Sequence, residues 1–319
     1  MPSPDAPAIL LVNLGTPAAP TPRAVRRYLG QFLSDPRVVQ IPRWLWWPLL
    51  HGLILPLRAS RVARKYASIW LADGSPLAVH TRDLATALQQ RLPQVRVASA
   101  MRYGEPDIAN ALARLQATGA SRVLVLPLYP QYSATTTASV ADALSRCDAL
   151  PMRMVDDYHL DPDWIAAIAA SIRAHWQQHG RGAHLVLSFH GLPQRLVDGG
   201  DPYAAQCAAS AGAIASALGL ETGQWTLAYQ SRFGRERWLQ PSTQDTLDAL
   251  LARDVRTIDV ACPGFAVDCL ETLEEVAMLL AERVAARGGV LRAVPCLNAS
   301  PQHADALAAL LRRELQVQP

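Results

Sequence analysis

The chain is short of charge. Of its 319 residues, 18% are charged, and the formal net charge is only +3. So weak a balance argues against a nucleic-acid partner, which would call for a broad basic face. The one local concentration of basic residues is Arg58 to Lys65. Cysteine is scarce as well: Cys147, Cys207, Cys262, Cys269 and Cys296 are scattered, odd in number and without a CxxC pair. That spacing gives no support to a structural zinc or iron–sulfur site, and free thiols fit a reducing cytoplasm. No apolar run is long enough to span a bilayer. The first one, Ala8 to Val12, is too short for the core of a secretory signal. GxGxxG, Walker A, HExxH, EF-hand and GxSxG patterns are all missing, so neither nucleotide binding nor a serine-hydrolase elbow is indicated.

What remains is an apolar chain, 50% hydrophobic and long enough for about two domains. Eight short apolar runs recur along it. Four lie in the first half, at Ile9–Asn13, Val95–Met101, Arg122–Leu126 and Met152–Val155. The second half has His184–Ser188, Trp225–Tyr229, Val255–Ala261 and Val290–Val294. Segments with apolar residues at three-and-four spacing separate them, among them Leu84–Leu92, Ile108–Ala117, Trp164–Trp176, Ala204–Leu218, Thr243–Ala252, Leu270–Ala286 and Ala304–Leu315. Continuous apolar runs alternating with helices mean parallel strands covered on both faces. The expected fold is α/β: two similar Rossmann-like domains, each a four-stranded parallel sheet flanked by helices, with a cleft between them. The domains are expected at 1–157 and 158–319, divided where polar residues and Pro162 cluster, with the last helix packing back on the first domain.

Open α/β sheets bind ligands where strands end. The fifth run leads through Ser188 and Phe189 into His190, and Gly191 and Pro193 stop it at once. Imidazole can ligate a metal or move a proton near neutral pH, although a lone strand-end histidine is also explained by a loop hydrogen bond. After Cys262-Pro-Gly-Phe265, a helix is expected from near Val267. On it Asp268, Glu271 and Glu275, spaced three and four apart, would share a face. A dipole-favoured first turn accounts for Asp268 but not for Glu275. Such a stripe repels itself and favours a cation or a proton path. The stretch Trp44 to Leu57 holds three tryptophans in four residues between Arg43 and Arg58. It reads either as a core segment or as an exposed apolar lip for a flat ligand or a membrane surface.

Taken together, these segments resemble the ferrochelatases, which insert ferrous iron into a porphyrin. The likeness runs from Leu10 to about Leu315. It is carried by Leu10-Leu-Val-Asn-Leu-Gly-Thr-Pro17, Asp73-Gly-Ser-Pro-Leu77, Met101-Arg-Tyr103, Pro127-Leu-Tyr-Pro-Gln-Tyr-Ser133, Ser188-Phe-His-Gly-Leu-Pro193, Gly200-Asp-Pro-Tyr203, Gln230-Ser-Arg-Phe-Gly234, Trp238-Leu-Gln-Pro-Ser-Thr243 and Asp268-Cys-Leu-Glu-Thr-Leu-Glu-Glu275. The resemblance implies that His190 and Glu271 are the metal-binding and proton-handling pair, with Glu275 and Asp268 on the same path. It implies that Arg102, Tyr103 and Tyr132 line a far wall, where an alternative route for iron has been proposed for the family. By a looser match it implies that Arg58, Tyr66 and Ser75 hold propionates and that Trp238 is a pocket aromatic. Asn13 stands where some relatives have Tyr or Met, so substrate orientation does not transfer from them. No cysteine follows Cys296, so no iron–sulfur cluster is expected. The implied partners are a porphyrin and ferrous iron, both substrates, with no nucleic acid. The location implied is the cytoplasm, peripheral to the inner membrane face through Trp44–Leu57. His190 as base and His190 as iron ligand both stay open. So do protoporphyrin IX, coproporphyrin III and other tetrapyrroles as substrates, and a non-catalytic haem-binding protein is the alternative of another class.

Overall fold

The computed structural model describes residues 6–147, 150–234 and 236–316. The chain divides into two compact units. The first comprises Met1–Tyr129, Ser133–Asp157 and Leu311–Pro319, and the second Pro130–Tyr132 and Tyr158–Leu310.

In the first unit the chain runs β1 (Ala8–Gly15), α1 (Pro22–Leu33), α2 (Arg43–Leu49), a π-helical turn (Leu50–Ile54), α3 (Leu55–Ile69), α4 (Pro76–Arg91), β2 (Arg96–Tyr103), α5 (Ile108–Ala117), β3 (Val123–Pro127), α6 (Thr137–Leu144) and β4 (Met152–Met154). The parallel sheet has the order β2-β1-β3-β4. β1 is buried almost throughout, and Leu10, Val12 and Val125 pack with Leu112 and Leu115 of α5 and Val140 of α6 in one core layer. Proline at the start of α1 and α4, after Thr21 and Ser75 caps, sets where those helices begin.

The second unit repeats the plan. It runs α7 (Pro162–His179), β5 (His184–His190), α8 (Gln194–Asp198), α9 (Tyr203–Leu218), β6 (Trp225–Gln230), α10 (Thr243–Ala252), β7 (Thr257–Ala261), a π-helix (Glu271–Leu280), α11 (Ala281–Ala285) and β8 (Val290–Ala293). Helix α12 (Pro301–Gln316) closes the described chain. The sheet order is β6-β5-β7-β8, the same as in the first unit. All eight apolar runs are strands, and all pair in parallel.

The Trp44–Leu57 segment is not core. Trp44, Leu45, Trp47, Leu49, Leu53 and Leu57 are exposed, Trp44 by 75% and Leu57 by 70%, and only Leu50 and Leu55 are buried. Trp46 anchors the segment by donating its indole N–H to the Leu33 carbonyl at 2.6 Å. Among the described residues, no helix is long and apolar enough to cross a membrane.

Candidate active site

In the second unit the chain passes from β5 to β6 on one side and to β7 on the other. The carboxyl ends of β5 and β7 therefore flank a topological switch point. His190 is the last residue of β5, paired with Gln230 of β6 and standing beyond Leu187, where the β7 pairing stops. Opposite it, β7 gives way to Cys262-Pro-Gly-Phe265, whose Phe265 ring meets the His190 imidazole edge-on at 6.2 Å. Two glycines permit this approach. A Cβ on Gly264 would lie 3.2 Å from the Phe189 ring, and one on Gly191 would lie 2.8 Å from the Gln230 carbonyl and 3.3 Å from the Trp238 ring.

His190 is partly exposed, and among the described residues nothing hydrogen-bonds its ring. Burial of the ring atoms pushes its pKa below the ordinary imidazole value, and the Glu271 charge opposes that only in part. The imidazole is therefore neutral at pH 7. Burial, together with the nearby Glu271 carboxylate, pushes the Cys269 thiol pKa far up.

The acidic segment departs from the helix expected from spacing. Regular helix begins only at Leu270, and Glu271–Leu280 is π-helical. Thr272, Val276 and Leu280, four residues apart, form one buried row. Glu271 and Glu275 form the adjoining, partly exposed row. Asp268 lies before the helix and does not share that row; both of its oxygens are bonded elsewhere in the fold. Spacing alone could not distinguish three-and-four periodicity in an α-helix from stacking in a π-helix.

Two residues that spacing did not single out fix the acidic row. Gln230 donates from Nε2 to the Glu271 carbonyl at 3.0 Å, while its Oε1 accepts from the Ser188 hydroxyl at 2.6 Å. Ser231, held at φ +67°, donates its backbone N–H to Glu275 Oε1 at 2.7 Å and its hydroxyl to Oε2. They are the last residue of β6 and the one after it, and the sequence marked them only as part of the Gln230-Ser-Arg-Phe-Gly234 segment, with no role for either.

The remaining candidates separate by unit. Trp238 and Tyr132 belong to the second. The Trp238 ring is buried edge-on to Phe233 at 6.1 Å with its indole nitrogen unpartnered, and Tyr132 is held through its backbone N–H by Gln206. Arg58, Tyr66, Ser75, Asn13, Arg102 and Tyr103 belong to the first. Arg58 is exposed on α3, and Tyr66 is buried edge-on to Trp70. Ser75 is buried as the cap of α4, and Asn13 is buried with its amide on the Thr81 hydroxyl at 3.0 Å. Arg102 and Tyr103 converge on Asp35, whose Oδ2 accepts from Arg102 at 2.6 Å, from the Tyr103 hydroxyl at 2.7 Å and from the Ser139 hydroxyl at 2.7 Å. The structure thus sets Glu271 near enough to His190 for its charge to act on the ring, puts Glu275 in the same helix row as Glu271, and commits most of the first-unit candidates to structural bonds. Among the described residues no three His, Cys, Asp or Glu side chains are grouped to hold a metal ion.

Solved structures share this fold. SirB from Bacillus subtilis, solved with Fe3+, superposes with a TM-score of 0.52 at 12% identity, over 98% of each chain. SirB of a Bacillus subtilis subspecies, a sirohydrochlorin chelatase in complex with cobalt, gives 0.51 at 13% identity, over 97% of this chain and 94% of that one. At such identities the likeness is one of fold, and it defines the class: two-unit α/β proteins of chelatase architecture. Sequence is more specific. The ferrochelatase family model matches residues 6–315. The ferrochelatase of Stenotrophomonas maltophilia (strain R551-3) is 61% identical over 96% of this chain and 98% of its own, and that of Methylococcus capsulatus (strain ATCC 33009 / NCIMB 11132 / Bath) is 51% identical over 95% of each. The chain belongs to the ferrochelatase family, and it is an enzyme of the metal-chelatase class.

Proposed function

We propose that this protein inserts ferrous iron into protoporphyrin IX, with release of two protons, to form protohaem. The observation that carries the reading is His190: an imidazole kept neutral by burial, free of hydrogen bonds to its ring, and close enough to Glu271 to feel its charge. A porphyrin brings two pyrrole N–H groups, and those nitrogens ligate a metal only once deprotonated. Neutral His190 takes a pyrrole proton and passes it on before the next, as a general base with a pKa near or below working pH does. Glu271 holds the incoming iron through its carboxylate. A single carboxylate donor suits a metal that must be given up to four nitrogens, whereas a closed three- or four-ligand cage would retain it. Glu275, oriented by Ser231, extends the acidic row along which protons or iron move. Trp238 offers an apolar ring beside the β5 exit for the macrocycle.

The proposed reaction draws on no iron–sulfur cluster: the five cysteines are scattered along the chain without the spacing that holds one. The exposure of the Trp44–Leu57 segment, flanked by Arg43 and Arg58, supports a cytoplasmic enzyme that rests peripherally on an anionic membrane surface. The test is a turnover assay with ferrous iron, run in parallel with protoporphyrin IX and coproporphyrin III. Protohaem formation at the higher kcat/KM supports the reading. Preference for coproporphyrin replaces the substrate, and porphyrin binding without metal insertion ends the enzymatic reading.

A further inference from the structure

Asp268 is buried, at 6% exposure, and both of its carboxylate oxygens are hydrogen-bonded. Oδ1 accepts from the Thr272 hydroxyl at 2.9 Å and from the Cys296 backbone N–H at 3.3 Å, and Oδ2 accepts from Asn298 Nδ2 at 2.7 Å. The Asp268 backbone N–H in turn donates to Asn298 Oδ1 at 2.8 Å. Aspartate and asparagine are thus closed into a ring by two opposed hydrogen bonds across 30 residues of sequence. Asn298 is fixed on its other side too. Its N–H donates to the Ala266 carbonyl at 3.1 Å, and its carbonyl accepts from His303 Nδ1 at 2.6 Å, so that nitrogen carries the proton. Its backbone is left-handed, at φ +49°, a conformation that asparagine tolerates better than most residues.

The place of this ring gives it a role. No side chain caps the π-helix that carries Glu271 and Glu275. Instead Thr272, the residue after Glu271, is gripped from outside: its hydroxyl donates to Asp268 and accepts from the Cys269 N–H at 3.0 Å. We infer that Asp268 and Asn298 are a positioning pair that fixes the first turn of the π-helix and so holds the Glu271 carboxylate in its place near His190, and that Asp268 carries no proton in the reaction. A buried carboxylate whose two oxygens are both engaged, by three protein donors, orients its neighbours and is poorly placed to receive and release a proton. The inference rests on reading His190 and Glu271 as the reacting groups.

An exchange of side chains tests it. Asn298→Gly keeps the left-handed backbone and deletes the amide. It is expected to lower kcat roughly ten- to a hundredfold, the scale of a small misplacement of a reacting group, with KM for porphyrin unchanged. Asp268→Asn sets amide against amide and is expected to do the same. The double variant Asp268→Asn with Asn298→Asp restores every donor–acceptor pair while leaving no carboxylate at 268, and it is expected to recover most of the lost rate. A double variant as inactive as Asp268→Asn, or Asn298→Gly with wild-type kcat, overturns the inference. Hydrogen exchange on the folded, substrate-free protein reads the same ring without turnover. Faster exchange confined to residues 269–275 in Asn298→Gly, reversed in the double variant, supports positioning. A uniform rise across the unit makes the ring a stability element only and overturns the inference. If the wild-type protein inserts no iron, the functional reading fails on that result, and the exchange pattern still decides this one.

Discussion

Two strand ends, one in each unit, carry the same kinds of residue and use them differently. Where β2 of the first unit ends, Arg102 and Tyr103 close on Asp35 with Ser139, and these four side chains hydrogen-bond to one another. Burial alone would raise the Asp35 pKa; hydrogen bonds from Tyr103, Ser139 and the Arg37 backbone, with the Arg102 charge, outweigh it and bring it down. Where β5 of the second unit ends, His190 is desolvated just as Asp35 is, yet its ring receives no hydrogen bond. One cluster spends its polar groups on the fold, and the other leaves a titratable group uncommitted. A polar strand end is therefore no mark of a site by itself; a desolvated and unsatisfied one is, because that group is ready to react with something that arrives.

Removing one group from each end is the sharpest way to break the comparison. His190→Ala is expected to lower kcat by roughly 10²–10⁴-fold, the contribution of a positioned general base, while porphyrin still binds and the melting temperature barely moves. Near-normal insertion would remove His190 from the mechanism. Asp35→Ala is expected to do the opposite. It strands the Arg102 guanidinium and the Tyr103 hydroxyl, which costs about 3–5 kcal/mol of stability when a buried pair loses one partner, somewhat less here because the Arg102 side chain keeps 15% exposure. Denaturant unfolding measures that loss, and turnover per folded molecule should survive it. If Asp35→Ala instead reduces kcat as far as His190→Ala at unchanged stability, the first-unit cluster belongs to the reacting machinery and the contrast is gone.

The frame of the molecule was legible in the sequence because buried parallel strands write themselves as unbroken apolar runs. Ile9–Asn13 and His184–Ser188 mark β1 and β5, each of which runs on by two residues or so into its polar end. Helix α1 was less legible: it was not among the segments picked out by three-and-four spacing, although Thr21 before Pro22 is a cap followed by a proline start. The Trp44–Leu57 segment admitted two readings, since composition cannot tell an apolar surface from an apolar core. At the site, His190 and Glu271 stood out by residue type and place in the chain. The π-helix did not, because a four-residue period fits either helix over so short a span. Nor did Asn298, which reaches Asp268 only through the folding of β8 and the loop after it.

Acid should separate the two units. His303 is wholly buried, and its pKa is pushed down to about 4 by burial. Burial also lowers His175, His184 and His190, so all four lie in the second unit and shift the same way. The unfolded chain binds protons on these rings from about pH 6.5 downward while the native unit refuses them, so stability is lost as pH falls. His303 alone, between 6.5 and about 4, accounts for a loss on the order of 3 kcal/mol. In the first unit Asp35 and Asp142 are shifted down instead. Their contribution is complete above the ordinary carboxylate value of 3.8 and fades only as pH falls below it through their folded values. Hydrogen exchange at pH 7, 5.5 and 4.5 should therefore show β5–β8 opening before β1–β4. Opening of β1–β4 first would refute the assignment. The same shift places the acid limb of the kcat/KM profile below the ordinary imidazole range.

The smallest effect on the fold is expected from the apolar lip. Trp44, Trp47 and Leu57 are 75%, 56% and 70% exposed, so burying them in the fold contributes little, and changing all three to serine should alter stability by no more than about 0.5 kcal/mol each. Their chemistry fits another use. Aromatic and leucine side chains stand free on two helices joined by a π-helical turn, with Arg43, Arg58 and Arg61 close in sequence to meet anionic headgroups. Sedimentation with vesicles containing phosphatidylglycerol should therefore lose the triple variant from the pellet while it retains wild-type turnover on soluble porphyrin. Equal sedimentation of both proteins would confine the lip to another role. Retention of the triple variant only at low salt would assign the binding to the arginines instead, and the exposed tryptophans would then be left without the membrane that accounts for their exposure.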